Sequence, residues 1–105
     1  MSLDTTLTIE DGVATIILHG EADAVSAPAL NRVVTAAIAA PLRDLVVDCT
    51  GLTYLSSAGL RCLVYAHQRL GRGVRIVLVG LRDEVAETIR LTGFDGGVSM
   101  PDSVP

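Results

Sequence analysis

Lysine is absent from this chain: all eight of its basic residues are arginines. That excludes Schiff-base catalysis, attachment of pyridoxal phosphate and the lysine of a phosphate-binding P-loop. Aromatic residues make up only 3% of the chain (Tyr54, Tyr65 and Phe94, with no Trp). So few rings argue against a module that stacks nucleic-acid bases, and they leave the core to Leu, Ile, Val and Ala. Positive charge is in deficit, 8 basic against 12 acidic residues, for a net charge of −4 and a pI near 4.9. The cationic field that binds nucleic-acid backbones or anionic lipid is therefore missing. No apolar run approaches the roughly 20 residues of a membrane helix, so no membrane insertion is expected. Nor does Met1-Ser2-Leu3-Asp4 carry a basic region followed by an apolar one; nothing directs export, and a cytoplasmic protein is expected. Met1–Leu3 reads as an expression scar. Cys49 and Cys62 both sit within apolar stretches, which suits small buried thiols better than a disulfide or half of a zinc site.

What remains is enough for one packed domain of 105 residues, half of them hydrophobic and 19% charged. Thr6-Leu7-Thr8-Ile9-Glu10 alternates as a half-buried strand does. Asp11-Gly12 is a tight hairpin turn, and Val13 to His19 is the returning strand. A loop over Gly20–Val25 comes next, with Ser26 as cap of a helix that tolerates Pro28 in its first turn and ends at Pro41. Leu45-Val46-Val47 reads as a short strand covered on both faces. Thr50–Leu55 reads as a turn leading to Ser56-Ser57. Leu60, Leu63, Val64, His67 and Leu70 form a helical stripe ending at Gly71 and Gly73. Val74–Val79 is another buried strand, and a third helix runs from about Asp83 to Thr92-Gly93. Phe94 is expected to fold back on the core, a short strand to form near Val98, and the tail to fray. The order is β-β-α-β-α-β-α-(β). It specifies one α/β domain over residues 4–100, a mixed sheet of an N-terminal hairpin plus parallel strands covered by three main helices, with 101–105 as a flexible tail.

Candidate chemistry is sparse. Glu21 and Asp23 read most simply as a solvated acidic turn, because no further acid or ligand cluster accompanies them. His67, on the apolar stripe, reads as a hydrogen-bonded core histidine, and His19 as a structural strand end. A serine-hydrolase elbow would read Gly-x-Ser-x-Gly. Around Ser57 the second glycine is present as Gly59, but Leu55 occupies the place of the first. Ser56 or Ser57 caps the following helix. A serine there also sits at the carboxyl rim of the sheet, where ligands and partners of open α/β folds meet the protein. Arg61, Tyr65 and Gln68 or Arg69 share the helix face opposite the buried stripe with Ser57 or Ala58, a composition suited to a contact surface.

Gly20-Glu21-Ala22-Asp23, the run from Val47 through Ser56-Ser57-Ala58-Gly59-Leu60, and Val79-Gly80-Leu81 through Gly93-Phe94 together resemble the STAS domain family. Within it they resemble the free-standing anti-sigma factor antagonists of bacteria. The resemblance spans about Leu7 to Val98. It implies a non-enzymatic switch with no cofactor and no metal. In such a switch Ser57 (second choice Ser56) is phosphorylated by an ATP-bound anti-sigma factor serine kinase. The unmodified form binds that kinase and frees a sigma factor, the phosphorylated form lets go, and a serine phosphatase resets it. It further implies a partner surface of Glu21, Asp23, Ser56, Ser57, Ala58, Gly59, Arg61 and Tyr65, and a monomer. One position departs from the pattern: Ser56 stands where such relatives commonly have Asp directly before the acceptor. The alternative reading is a constitutive STAS subunit of a lipid-transport ATP-binding-cassette complex, in which Ser57 is a helix cap and nothing more.

Overall fold

A computed structural model describes residues 2–101 of the chain. Its first unit is the hairpin of β1 (Leu3–Glu10) and β2 (Val13–Ala22). Asp11 and Gly12 both adopt positive φ, 51° and 80°, the left-handed pair that a two-residue turn between twisted strands requires. Helix α1 (Ala27–Ile38) follows, then β3 (Asp44–Leu55), α2 (Ser57–Leu70), β4 (Arg75–Val79) and α3 (Asp83–Leu91). The sheet order is β1-β2-β3-β4. β1 and β2 pair antiparallel, and β2–β3 and β3–β4 pair parallel, so the sheet is mixed as the element order requires. Beyond β4, Ser99 makes an isolated parallel bridge to Val77, with Leu78 N–H donating to its carbonyl (2.8 Å) and its N–H to the Ile76 carbonyl (2.9 Å). The short strand expected near Val98 is thus a single bridge one residue on. Residues 102–105, on which most of the expected flexible tail falls, and Met1 lie outside the described residues.

Two departures matter for the site. Gly20–Ala22 and Thr50–Leu55, expected as loop and turn, are strand: β2 and β3 remain paired to Ala22↔Leu55, through register shifts after Ile17 and Gly20. Propensity reads Thr50-Gly51 as a break, but long-range pairing with β2 overrides it and the irregularity is absorbed as bulges. The second departure concerns cover. Ala14↔Leu45↔Ile76 and Ile16↔Val47↔Leu78 form buried rows under the helices, whereas the rows Thr15↔Val46↔Val77 and Ile17↔Asp48↔Val79 are only half-buried or exposed. The sheet is therefore covered on one face, and the apolar run Leu45-Val46-Val47 does not lie between two helical layers. Each fully buried Leu or Ile on the covered face contributes about 1.5–3 kcal/mol. Leu30, Val34 and Ala37 of α1, Leu60, Leu63 and Ala66 of α2, and Val85, Ala86 and Ile89 of α3 complete that core.

Phe94 does fold back. It meets His67 edge-on at a centroid distance of 5.7 Å, so His67 is a half-buried ring contact whose imidazole has no hydrogen-bond partner among the described residues, where a bonded core histidine was expected. Cys49 and Cys62 are both free and buried. Burial, aided by Asp48, pushes the Cys49 thiol up to about 12, and burial also raises Cys62.

Candidate functional site

β2 and β3 end side by side, and the segments leaving those two strand ends form the site. The Ser56 N–H donates to the Ala22 carbonyl at 2.8 Å, tying the start of α2 to the end of β2. Ser56 has extended backbone (φ −85°, ψ 172°), and its hydroxyl accepts from the Gly59 N–H at 3.2 Å. Its carbonyl receives the Leu60 N–H at 2.9 Å. Ser56 is therefore the cap of α2, with its N–H, its carbonyl and its hydroxyl oxygen each hydrogen-bonded. Ser57 is the first helical residue, exposed, with no hydrogen-bond partner for its hydroxyl among the described residues. The two adjacent serines, equivalent candidates by sequence, thus differ: one is consumed structurally and the other is presented.

Gly59 lets this arrangement sit close to the sheet. A Cβ there would come within 2.8 Å of the Ala22 carbonyl oxygen and 2.9 Å of Leu55 Cδ1. The glycine of Ser-Ser-Ala-Gly is thus a packing requirement between α2 and the end of β2, and it is buried along with Leu60. Ala58 is half-buried beside it.

The acidic segment after β2 is more ordered than a solvated turn. Asp23 Oδ1 accepts the N–H groups of Val25 (3.0 Å) and Ser26 (2.9 Å), and the Asp23 carbonyl receives the Ala27 N–H (2.9 Å). In return, the Asp23 N–H donates to Ser26 Oγ at 2.9 Å. This is a reciprocal capping box with Asp23 as the cap and Ser26 three residues on. The cap expected of Ser26 therefore belongs to Asp23. Ser26 is instead a buried brace, its hydroxyl proton facing the Glu21 carbonyl at 2.7 Å, with Asp23 Oδ1 at 3.1 Å as the alternative acceptor. The Ser26 N–H, above all, holds the Asp23 carboxyl below the usual carboxylate range, against the opposing effect of desolvation. Glu21 lies half-buried opposite Tyr54 across the β2–β3 pair. Asp48 does not belong to this cluster. It stands on the open sheet face, where it accepts the Thr50 N–H, eight strand residues and so roughly 20 Å or more from Ser56.

Arg61 and Tyr65 continue down the outer face of α2 from Ser57 and are exposed. They border a groove of about 800 Å³ between α1 and α2, whose walls include Ala24, Ala27, Pro28, Asn31, Val64 and Gln68. The structure brings the expected residues of both segments to one rim, with Ser57 next to Ala58, which lines the groove. A model of the STAS domain matches residues 4–104. The chain belongs to the STAS domain family. It is 29% identical, over 94 residues, to the anti-sigma-F factor antagonist RsfB of Mycobacterium tuberculosis, covering 90% of this chain and 77% of that protein. A crystal structure of an anti-sigma factor antagonist from Mycobacterium paratuberculosis superposes with a TM-score of 0.85 at 31% identity, covering 93% of this chain and 84% of the other. The Bacillus cell fate determinant SpoIIAA in its phosphorylated form shares the fold, with a TM-score of 0.69 at 14% identity and coverages of 92% and 90%.

This STAS domain also presents residues that sequence reasoning passed over. Val25, at the tip of the capping box, is 83% exposed, and Tyr54 faces solvent across from Glu21. A bulky apolar residue held at the apex of a rigid polar turn suits a contact surface. The signal available was the Asp23-x-x-Ser26 spacing, which makes the turn a helix start with Val25 on its outside. The α1 wall of the groove, Asn31 in particular, carried no signal, since it arises only from how the two helices pack.

Proposed function

We propose that this STAS domain is an anti-sigma factor antagonist, a cytoplasmic protein without catalytic activity of its own whose binding is switched by phosphorylation of Ser57. The observation that carries the reading is the division of labour between the two serines. Ser57 is exposed beside the groove-lining Ala58, its hydroxyl without a partner among the described residues, while Ser56 caps the helix start. Among the described residues no helix is long and apolar enough to cross a membrane.

In this reading the partner is an ATP-bound anti-sigma factor that is also a serine kinase, docked over Glu21, Asp23 and the α2 face from Ser57 to Tyr65. The Ser57 oxygen attacks the γ-phosphorus of ATP. The bond from that phosphorus to the ADP oxygen breaks, and the hydroxyl proton passes to a base of the kinase, so this chain supplies only the acceptor. A serine phosphatase reverses the change with water, releasing inorganic phosphate. The phosphate adds a charge of about −1.5 to −2 at pH 7 to a surface that must be desolvated when the partner docks. In a domain already at −4, repulsion and lost solvation weaken that contact without any refolding. Each 1.4 kcal/mol so introduced lowers affinity about tenfold.

The test is phosphorylation by the anti-sigma factor kinase recovered with this protein from its own host. One phosphate is expected per chain, lost in Ser57→Ala and retained in Ser56→Ala, although the latter loses about 1 kcal/mol of stability with its cap. Normal labelling of Ser57→Ala would overturn the assignment.

A further inference from the structure

The groove between α1 and α2 carries a single charge. Of the residues that line it, Arg61 is the one with an ionised side chain; Asn31, Tyr65 and Gln68 supply its other polar groups. Three other arginines are already paired, Arg43 and Arg75 with Asp44 and Arg90 with Glu87. The Arg61 guanidinium has no ion-pair or hydrogen-bond partner among the described residues, and its side chain is exposed. It also lies four positions after Ser57 in the same helix. Residues i and i+4 lie on one helix face with Cβ atoms about 5–6 Å apart, within easy span of an arginine side chain. No acidic side chain in the first turn of α2 competes for it.

From these observations, and resting on the phosphorylation reading above, we infer that Arg61 is the receiver of the Ser57 phosphate within this chain. The guanidinium fork turns back one helical turn and donates two parallel N–H bonds to phosphate oxygens, the geometry that arginine offers and lysine does not. The order is the favourable one, with the anion N-terminal to the cation along the helix. Phosphorylation then does more than add charge at the rim. It withdraws the cation from the groove, and the Ser57–Arg61 pair passes from +1 to about −0.5 to −1 at pH 7. A docking protein that had met a free guanidinium beside the groove meets an occupied one. Arg61 is in this sense a positioning residue for the modification, distinct from the acceptor itself.

The experiment installs phosphoserine at position 57 during translation, so no kinase enters it. The second ionisation of the phosphate is monitored by phosphorus-31 NMR in the parent chain and in Arg61→Gln and Arg61→Lys. The phosphate of the parent is expected to titrate about 0.3 pH lower than that of Arg61→Gln, with Arg61→Lys between them and the difference shrinking in 1 M salt, the size that one i,i+4 ion pair supports. Circular dichroism checks that the variants remain folded, as an exposed position predicts. Superimposable titrations of the parent and Arg61→Gln overturn the inference and leave the phosphorylation reading standing. Loss of that reading would show instead as failure of the kinase to label Ser57.

Discussion

Substituting Gly59 with alanine tests how the start of α2 is held against the sheet. Inside a helix the change should help, since alanine is favoured over glycine by roughly 1 kcal/mol. Here the added methyl would lie 2.8 Å from the Ala22 carbonyl oxygen, 2.9 Å from Ala22 Cβ and 2.9 Å from Leu55 Cδ1. Two of these three atoms are fixed by the last pair of the β2–β3 ladder or are covalently next to it, so relief has to come from moving the helix. Overpacking of this kind costs about 1–3 kcal/mol. Set against the propensity gain, the net loss is about 1 kcal/mol, or roughly 4–8 °C in Tm for a domain of this size. The shift also strains the Ser56–Ala22 hydrogen bond that positions Ser57. Thermal and urea unfolding monitored by circular dichroism measure it. Gly73→Ala is the control, since nothing lies within 4 Å of a Cβ there and φ is not positive; it should be neutral or slightly stabilising. A Gly59→Ala chain at least as stable as the parent would refute the close approach of α2 to Ala22.

The titratable groups yield two further outcomes. The Asp23 carboxyl titrates lower in the folded chain than its unfolded value of about 3.9. The stability it lends is therefore complete above that value and is lost as pH falls through the folded one. Asp23→Asn, which keeps an acceptor but not the charge, should flatten the acid limb of a urea-midpoint profile from about pH 5 downward, most of all below about pH 4. Identical limbs would contradict this. A thiol raised to about 12, like that of Cys49, is ionised in about one molecule in ten thousand at pH 8. Aromatic disulfide reagents should accordingly leave Cys49 unmodified in the native chain, react slowly with Cys62 at the groove, and label both readily in denaturant. Rapid native labelling of Cys49 would show that its burial is wrong.

Much of the fold can be read where local chemistry and global packing agree. Asp11-Gly12 has one good use, and the apolar spacing of α1, α2 and α3 appears in their buried faces with errors of a residue or two. The strand extensions fail for a physical reason: Gly51 interrupts an otherwise strand-compatible segment, and pairing with His19–Ala22 carries the strand through it. Leu45-Val46-Val47 misleads in the opposite sense, because β-branched residues serve equally on a half-covered face. At the site, the exposed serine of the pair was identifiable by resemblance but not by spacing, since either hydroxyl could cap. The exchange of roles between Asp23 and Ser26 was signalled only by their three-residue spacing; both types are good caps, and the hydrogen bonds decide between them.

The Ser99 bridge bears on how this small domain avoids its neighbours. A sheet with four strands has two raw margins, each a row of amides able to recruit a foreign strand. With Ser99 lying along Ile76 and Leu78, the β4 margin is already occupied by the chain's own return. Strand addition at that margin is thereby blocked at Ile76 and Leu78. A truncation before Ser99 would reopen a template of alternating Ile and Leu, turning a deletion outside every helix and main strand into a solubility defect.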